Sequence, residues 1–211
     1  MTDSSNTSSC SIYAYYLLLT GTSIEQLKRG DATLYPSHIT VRGPFSPRPN
    51  VGVDQLAELG VVAFCNLNPL RVCLTGPCTV RSDLVWYEVD PLSESRAILV
   101  QTHLLLTQLL LQNACIGVDR IPVQYQGSGY RPHATVVMGT PAPPSRMLRR
   151  WPNRVVAEIT EWGLFEYRSN EPDCSIVPVM TQPLAGSGTF CRPSHSTRSV
   201  RRLQTLAGTG E

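Results

Sequence analysis

Apolar residues along the chain fall in short blocks punctuated by glycine and proline, a pattern that predicts strands more often than helices. Residues 12–19 form an aromatic-rich run closed by Thr20-Gly21, and residues 38–41 form another between Pro36 and the Gly43-Pro44 turn. Strands are also expected at 61–67, 70–74 and 84–89, the last carrying the β-favouring Val85-Trp86-Tyr87 set. Short helices are expected at 23–29, ending at Gly30, and at 54–59, ended by Gly60. One long helix is expected over about 94–114: Ser93 suits its N-cap, leucines and Ile98 recur at helical spacing, and Gly117 ends it. A second series then begins with an apolar start at 121–123, a Gly-Ser-Gly turn at 127–129 and a strand at 133–138. It continues with a short helix at 145–151, a strand at 155–167 bent near Trp162-Gly163, and a strand at 175–180. Periodicity vanishes after Leu184. The expected organisation is a flexible polar leader (1–10), one folded domain (11–184) and a basic, disordered, solvated tail (185–211).

Composition narrows the class. A chain of 211 residues supports one sizeable domain, and 42% hydrophobic content with a mean hydropathy of −0.08 fits a soluble globule. No run of 18 apolar residues occurs; the longest, 97–111, is interrupted by Gln101, Thr102, His103, Thr107 and Gln108, so no membrane span is expected. The polar N-terminus lacks a signal-peptide pattern, and the seven scattered cysteines include no C-x-x-C. Free thiols in a reducing cytoplasm are the expectation. A net charge of +2 excludes a bulk nucleic-acid coat. All basic residues but Lys28 are arginine, whose fork suits phosphate.

The informative feature is a repeat. Pro36-Ser37-His38-Ile39-Thr40-Val41 returns 95 residues later as Pro132-His133-Ala134-Thr135-Val136-Val137. On a strand, residues i and i+2 share a face, so each copy presents an imidazole beside a hydroxyl. A third match, His195-Ser196-Thr197, lacks a strand context and is set aside. No Asp or Glu lies between Asp31 and Asp54 or between Asp119 and Glu158, the windows that hold both motifs. Metal-serving histidines usually have carboxylates or further His or Cys nearby, so neither a metal nor another cofactor is expected. Arginine-bearing, acid-free windows suit an anion, and the two-residue period puts Arg42 on the His38 face and Arg131 on the His133 face.

Two imidazoles facing one phosphorus can divide the work of base and acid, since histidine titrates near neutrality. The base takes a proton from water or a ribose hydroxyl, and the acid protonates the departing ribose oxygen. The Thr40 and Thr135 hydroxyls then donate to non-bridging oxygens. RNA-type phosphodiesters fit such a site because the 2′-hydroxyl or a 2′,3′-cyclic phosphate supplies reactivity. No G-x-S-x-G occurs, and no cysteine adjoins either histidine.

The paired motifs His38-Ile39-Thr40-Val41 and His133-Ala134-Thr135-Val136 resemble the two H-x-T/S signatures of the 2H phosphoesterase superfamily, which includes LigT-like 2′-5′ RNA ligases and cyclic phosphodiesterases. The likeness covers roughly residues 11–184, with Val where the family often has Leu after the Thr. It implies a bilobal α+β fold in which two pseudo-symmetric antiparallel sheets flank a central groove, with helices outside. It implies His38 and His133 as the catalytic pair, with Thr40 and Thr135 on the phosphate. Substrates implied are 2′,3′-cyclic nucleotides, 2′-5′ oligoadenylates, cyclic oligonucleotide signals and RNA ends. Tyr35, Tyr130 and Phe45 are candidate base-stacking residues beside Arg42 and Arg131, whereas His103, mid-helix, reads as structural. The leading expectation is a metal-independent phosphodiesterase acting as a monomer on a nucleotide or RNA-end substrate, with no obligate protein partner. The alternatives are a non-catalytic binding module of the same fold and an RNA end-joining ligase.

Overall fold

The computed structural model describes residues 11–21, 23–120, 126–170 and 173–185. The leader, the apolar start at 121–123 and nearly all of the tail lie outside the described residues. Strands β1 (Ile12–Thr20), β2 (Arg29–Gly30), β3 (His38–Pro47), β4 (Leu70–Arg81), β5 (Leu84–Val89), β6 (Ile116–Asp119), β7 (His133–Met138), β8 (Arg154–Asn170) and β9 (Asp173–Pro183) alternate with four helices. These are α1 (Ile24–Leu27), α2 (Val53–Phe64), α3 (Glu94–Gln112) and α4 (Ser145–Leu148). The fold is mixed α+β, as expected.

The strands pair continuously as one nine-stranded sheet, β2-β7-β5-β4-β8-β1-β3-β6, with β9 also on β8, where two separate sheets were expected. The long β8 makes this possible. Its first third pairs with β4, its later part pairs with β9 on the same edge, and β1 runs along the other edge. Its register slips at Ile159–Glu161, slightly before the bend expected at Trp162-Gly163.

Two local expectations fail for a common reason. Residues 61–67 are not a strand, and Gly60 does not end a helix: α2 runs on to Phe64. Glycine is needed there because α2 crosses β8 closely; a Cβ on Gly60 would lie 2.5 Å from Cζ3 of the buried Trp162. The helix former penalised by propensity is the one that lets the layers meet. Likewise Gly117 lies not at a helix end but inside β6, an edge strand beside β3.

Ser93 caps α3, its hydroxyl accepting from the Arg96 N–H. The buried face of α3 carries Leu99, His103, Leu106 and Leu110, at the 3–4 residue spacing of one helix stripe, while Leu105 is exposed. With Leu56 and Phe64 of α2 they close over Tyr15, Leu17, Ile39, Val72, Leu74 and Ile159 of the sheet. No described helix is long and apolar enough to cross a membrane.

Candidate active site

The two motifs occupy β3 and β7, and the strands repeat each other in pairing as well as in sequence. On β1–β3, Leu18 faces His38, Leu17 faces Ile39 and Tyr16 faces Thr40; the next pair is Tyr15 with Arg42, so Val41 is an extra residue. On β5–β7, Glu88 faces His133, Tyr87 faces Ala134 and Trp86 faces Thr135; the next pair is Val85 with Val137, so Val136 is extra. Each H-x-T-V motif therefore ends in a bulge at its valine. Both valines are buried, which anchors the bend in the core.

Each imidazole is fixed in the same way. His38 Nδ1 lies 2.8 Å from the Pro36 carbonyl oxygen, and His133 Nδ1 lies 2.7 Å from that of Arg131. A carbonyl only accepts, so Nδ1 carries the proton and Nε2 is left as a lone pair. Each ring also lies against an aromatic ring from the neighbouring strand: Tyr16 on His38 at 3.7 Å between centroids, and Trp86 on His133 at 4.0 Å. Tyr16 is steadied in turn by a hydroxyl–hydroxyl hydrogen bond to Tyr167.

The carbonyl that anchors each ring belongs to a segment tied down by ions. Before His38, Lys28 Nζ donates to the Tyr35 carbonyl and pairs with Glu25 at 2.8 Å, while Glu25 accepts from the Ser37 N–H. Before His133, Glu88 takes both Arg131 Nε and Nη2, at 3.0 and 2.6 Å, and also Arg96 Nη1. Glu88 is held below the ordinary carboxylate range, chiefly by the Arg131 hydrogen bonds.

Desolvation pushes the His38 pKa down to about 4, with the charges of Lys28 and His133 adding to the drop against the Pro36 hydrogen bond and Glu25. His133 is lowered too, again first by desolvation, against its Arg131 hydrogen bond and Glu88. Both imidazoles are thus neutral at pH 7 before any anion arrives, and each keeps an Nε2 lone pair for a proton.

His38, Thr40 and Thr135 line one cavity of about 110 Å³, together with Tyr16, Tyr35 and Tyr167. Both motif threonines thus border one cavity, and Tyr35 stands there where a planar ligand could rest, whereas His133 is not among the lining residues. The other expected binding residues lie elsewhere. Arg42 is buried and ion-paired with Asp119, because the bulge at Val41 breaks the two-residue period that was to carry it onto the His38 face. Arg131 holds Glu88 in a bidentate pair. Phe45 is fully buried and stacked with Tyr15, and Tyr130 is buried against His103 with its hydroxyl on the Thr40 carbonyl. The windows are acid-free in sequence only; Glu88, Asp119 and Glu25 reach them through the fold. His103 is structural as read, with Nδ1 on the Val41 carbonyl oxygen at 2.6 Å. Among the described residues no group of three or more His, Cys, Asp or Glu is gathered to hold a metal ion.

The sheet that carries the paired motif strands has the fold of solved LigT structures. Escherichia coli LigT complexed with 3′-AMP matches with a TM-score of 0.54 at 15% identity, over 83% of this chain and 99% of that one. The same protein complexed with NADP+ matches at 0.52 and 14%, over 83% and 98%. TT0787 of Thermus thermophilus matches at 0.56 and 16%, over 84% and 100%. No protein-family model and no curated protein sequence matches the chain.

Proposed function

We propose that the chain is a two-histidine phosphodiesterase that hydrolyses 2′,3′-cyclic phosphates or related 2′-5′ and cyclic (oligo)nucleotide linkages without a metal. The observation that carries this reading is the doubled device of the site. Two imidazoles have Nδ1 tied to main-chain carbonyls and Nε2 left basic; His38 lines a cavity with both motif threonines, and His133 lies two residues before Thr135 on the same strand.

The anionic phosphodiester raises the basicity of the imidazole it approaches, reversing part of the desolvation that keeps both rings neutral. One Nε2, protonated in this way, faces the departing ribose oxygen; the other takes a proton from water. The water oxygen bonds to phosphorus as the P–O bond to the ribose breaks, and the protonated imidazole gives its proton to that oxygen. The cycle ends with the two protonation states exchanged, and solvent restores them. Thr40 and Thr135 hydroxyls donate to the non-bridging oxygens throughout. Tyr35 offers a face for a base. The 3′-AMP and NADP+ complexes of LigT support a nucleotide as the ligand. The free thiols of Cys65, Cys73, Cys78 and Cys115 support a reducing compartment such as the cytoplasm.

The test is turnover of 2′,3′-cyclic nucleotides, 2′-5′ oligoadenylate and cyclic di- and trinucleotides by the full chain in EDTA. Turnover is expected to persist, and His38→Ala and His133→Ala should each lower it about 10²–10⁴-fold. Activity abolished by EDTA, or full activity in both variants, overturns the reading. Tight nucleotide binding without turnover selects the binding module, and joined 2′,3′-cyclic and 5′-hydroxyl ends select the ligase.

A further inference from the structure

Strand β3 is paired unevenly. Along one edge it has β1; along the other, β6 joins only from Phe45 onward. Among the described residues the motif end, with the bulge at Val41, has no second strand paired to it, and two side chains from elsewhere grip its main chain. The Tyr130 hydroxyl donates to the Thr40 carbonyl oxygen at 2.8 Å, and His103 Nδ1 donates to that of Val41 at 2.6 Å. The two rings stack on each other, 4.1 Å apart and 8° from parallel. Tyr130 is 8% exposed and His103 1% exposed.

Tyr130 is also next in sequence to Arg131, whose carbonyl holds His133 Nδ1. One hydrogen bond from the Thr40 carbonyl, then the covalent Tyr130 ring and backbone, thus lead to the anchor of the second imidazole. The two motifs come from distant parts of the sheet order, and this path joins them directly.

We propose that Tyr130 and His103 form a positioning brace that sets the His38–Thr40 strand against His133. The brace makes no substrate contact. It acts by holding the two Nε2 atoms and two hydroxyls in register on one phosphorus, where small misplacements are costly. This rests on the two-histidine reading above for its effect on turnover, though not for its geometry.

The test compares Tyr130→Phe, which keeps the ring stack and deletes only the donor, with Tyr15→Phe. Tyr15 also donates from a buried hydroxyl to a main-chain carbonyl, that of Leu56 at 2.7 Å, away from the motifs. Both should lose similar thermal stability. Only Tyr130→Phe should lower kcat on a 2′,3′-cyclic nucleotide, by about tenfold, with a smaller change in KM. His103→Leu should do the same, and His103→Asn, whose amide nitrogen falls near the Nδ1 position, should recover most of the loss.

The imidazole NMR signals of His38 and His133 read the geometry without turnover. They should shift in Tyr130→Phe and His103→Leu, and stay in place in Tyr15→Phe. A chain that turns over no substrate but shows these shifts loses the proposed reaction and keeps the brace. Unshifted signals with wild-type kcat, or an equal kcat loss in Tyr15→Phe, overturn the brace. Should Tyr130→Phe fail to fold, the His103→Leu and His103→Asn pair decides by the same signals.

Discussion

An imidazole that carries protons needs both side-chain dihedral angles fixed, and one hydrogen bond fixes them incompletely. In both motifs the second constraint is an aromatic face on the neighbouring strand, Tyr16 for His38 and Trp86 for His133. Replacing Tyr16 with Leu keeps bulk but removes the flat wall and the bond to Tyr167. The expected result is a kcat lower by about tenfold, with Tyr16→Phe much closer to wild type because the ring remains. Steady-state kinetics of the two variants checks this; equal losses would show that the hydroxyl, not the ring, sets the imidazole. The histidines and threonines were legible because a repeated tripeptide on a strand is a local signal. Tyr16 and Trp86 were visible only as members of β-favouring runs. Their role depends on which residue faces which across two strands, and no single-strand pattern encodes that register.

At the scale of the element, the bulge after each motif threonine explains why period-two reasoning succeeds from His38 to Thr40 and fails at Arg42. One inserted residue redirects everything beyond it. Arg42 is turned into a buried pair with Asp119 that staples β3 to β6. Arg42→Met should therefore cost about 1–3 kcal/mol of stability, and Asp119→Leu more, about 3–5 kcal/mol, because it strands a buried guanidinium without its partner. Urea denaturation measures both. Affinity for inorganic phosphate should be unchanged in Arg42→Met; a tenfold loss of affinity with stability intact would mean that the guanidinium serves the anion instead. Helix α2 shows the same limit from another side. Gly60 reads as a stop by propensity, and only the proximity of Trp162 reveals it as a packing residue inside the helix. The long helix and the strands at 12–19, 84–89 and 133–138 needed no such partner, since their periodicity or β-branched content is complete within the segment.

Across the whole molecule, the fold lowers the pKa of three histidines, half-buried His38 and His133 and buried His103, at some cost in acid. His38 is depressed to about 4, facing Lys28, His133 and Glu25; His133 is depressed, facing Glu88 and Arg131. His103 is lowered as well, by desolvation first and by Arg42 next, against Val41 and Asp119. In the unfolded chain all three titrate near 6.5, so between about pH 6.5 and pH 4 the unfolded state binds more protons than the folded one. Stability must then fall as pH drops through that window, before the lowered carboxylates of Glu25 and Glu88 begin to protonate and cost more. The melting temperature should decline from pH 7 to pH 5, and His38→Ala should flatten that decline. Sulfate sharpens the test because it stays a dianion over this range. Bound between the motifs, it favours the protonated imidazoles, so its stabilisation should be larger at pH 5 than at pH 8. A sulfate effect independent of pH would mean that the two rings do not share an anion, and the histidine variants separate the cases. A weakened pH dependence in His38→Ala and also in His133→Ala assigns the anion to both motifs, as expected where β3 and β7 residues line one cavity, whereas an effect in one variant alone assigns it to that motif only.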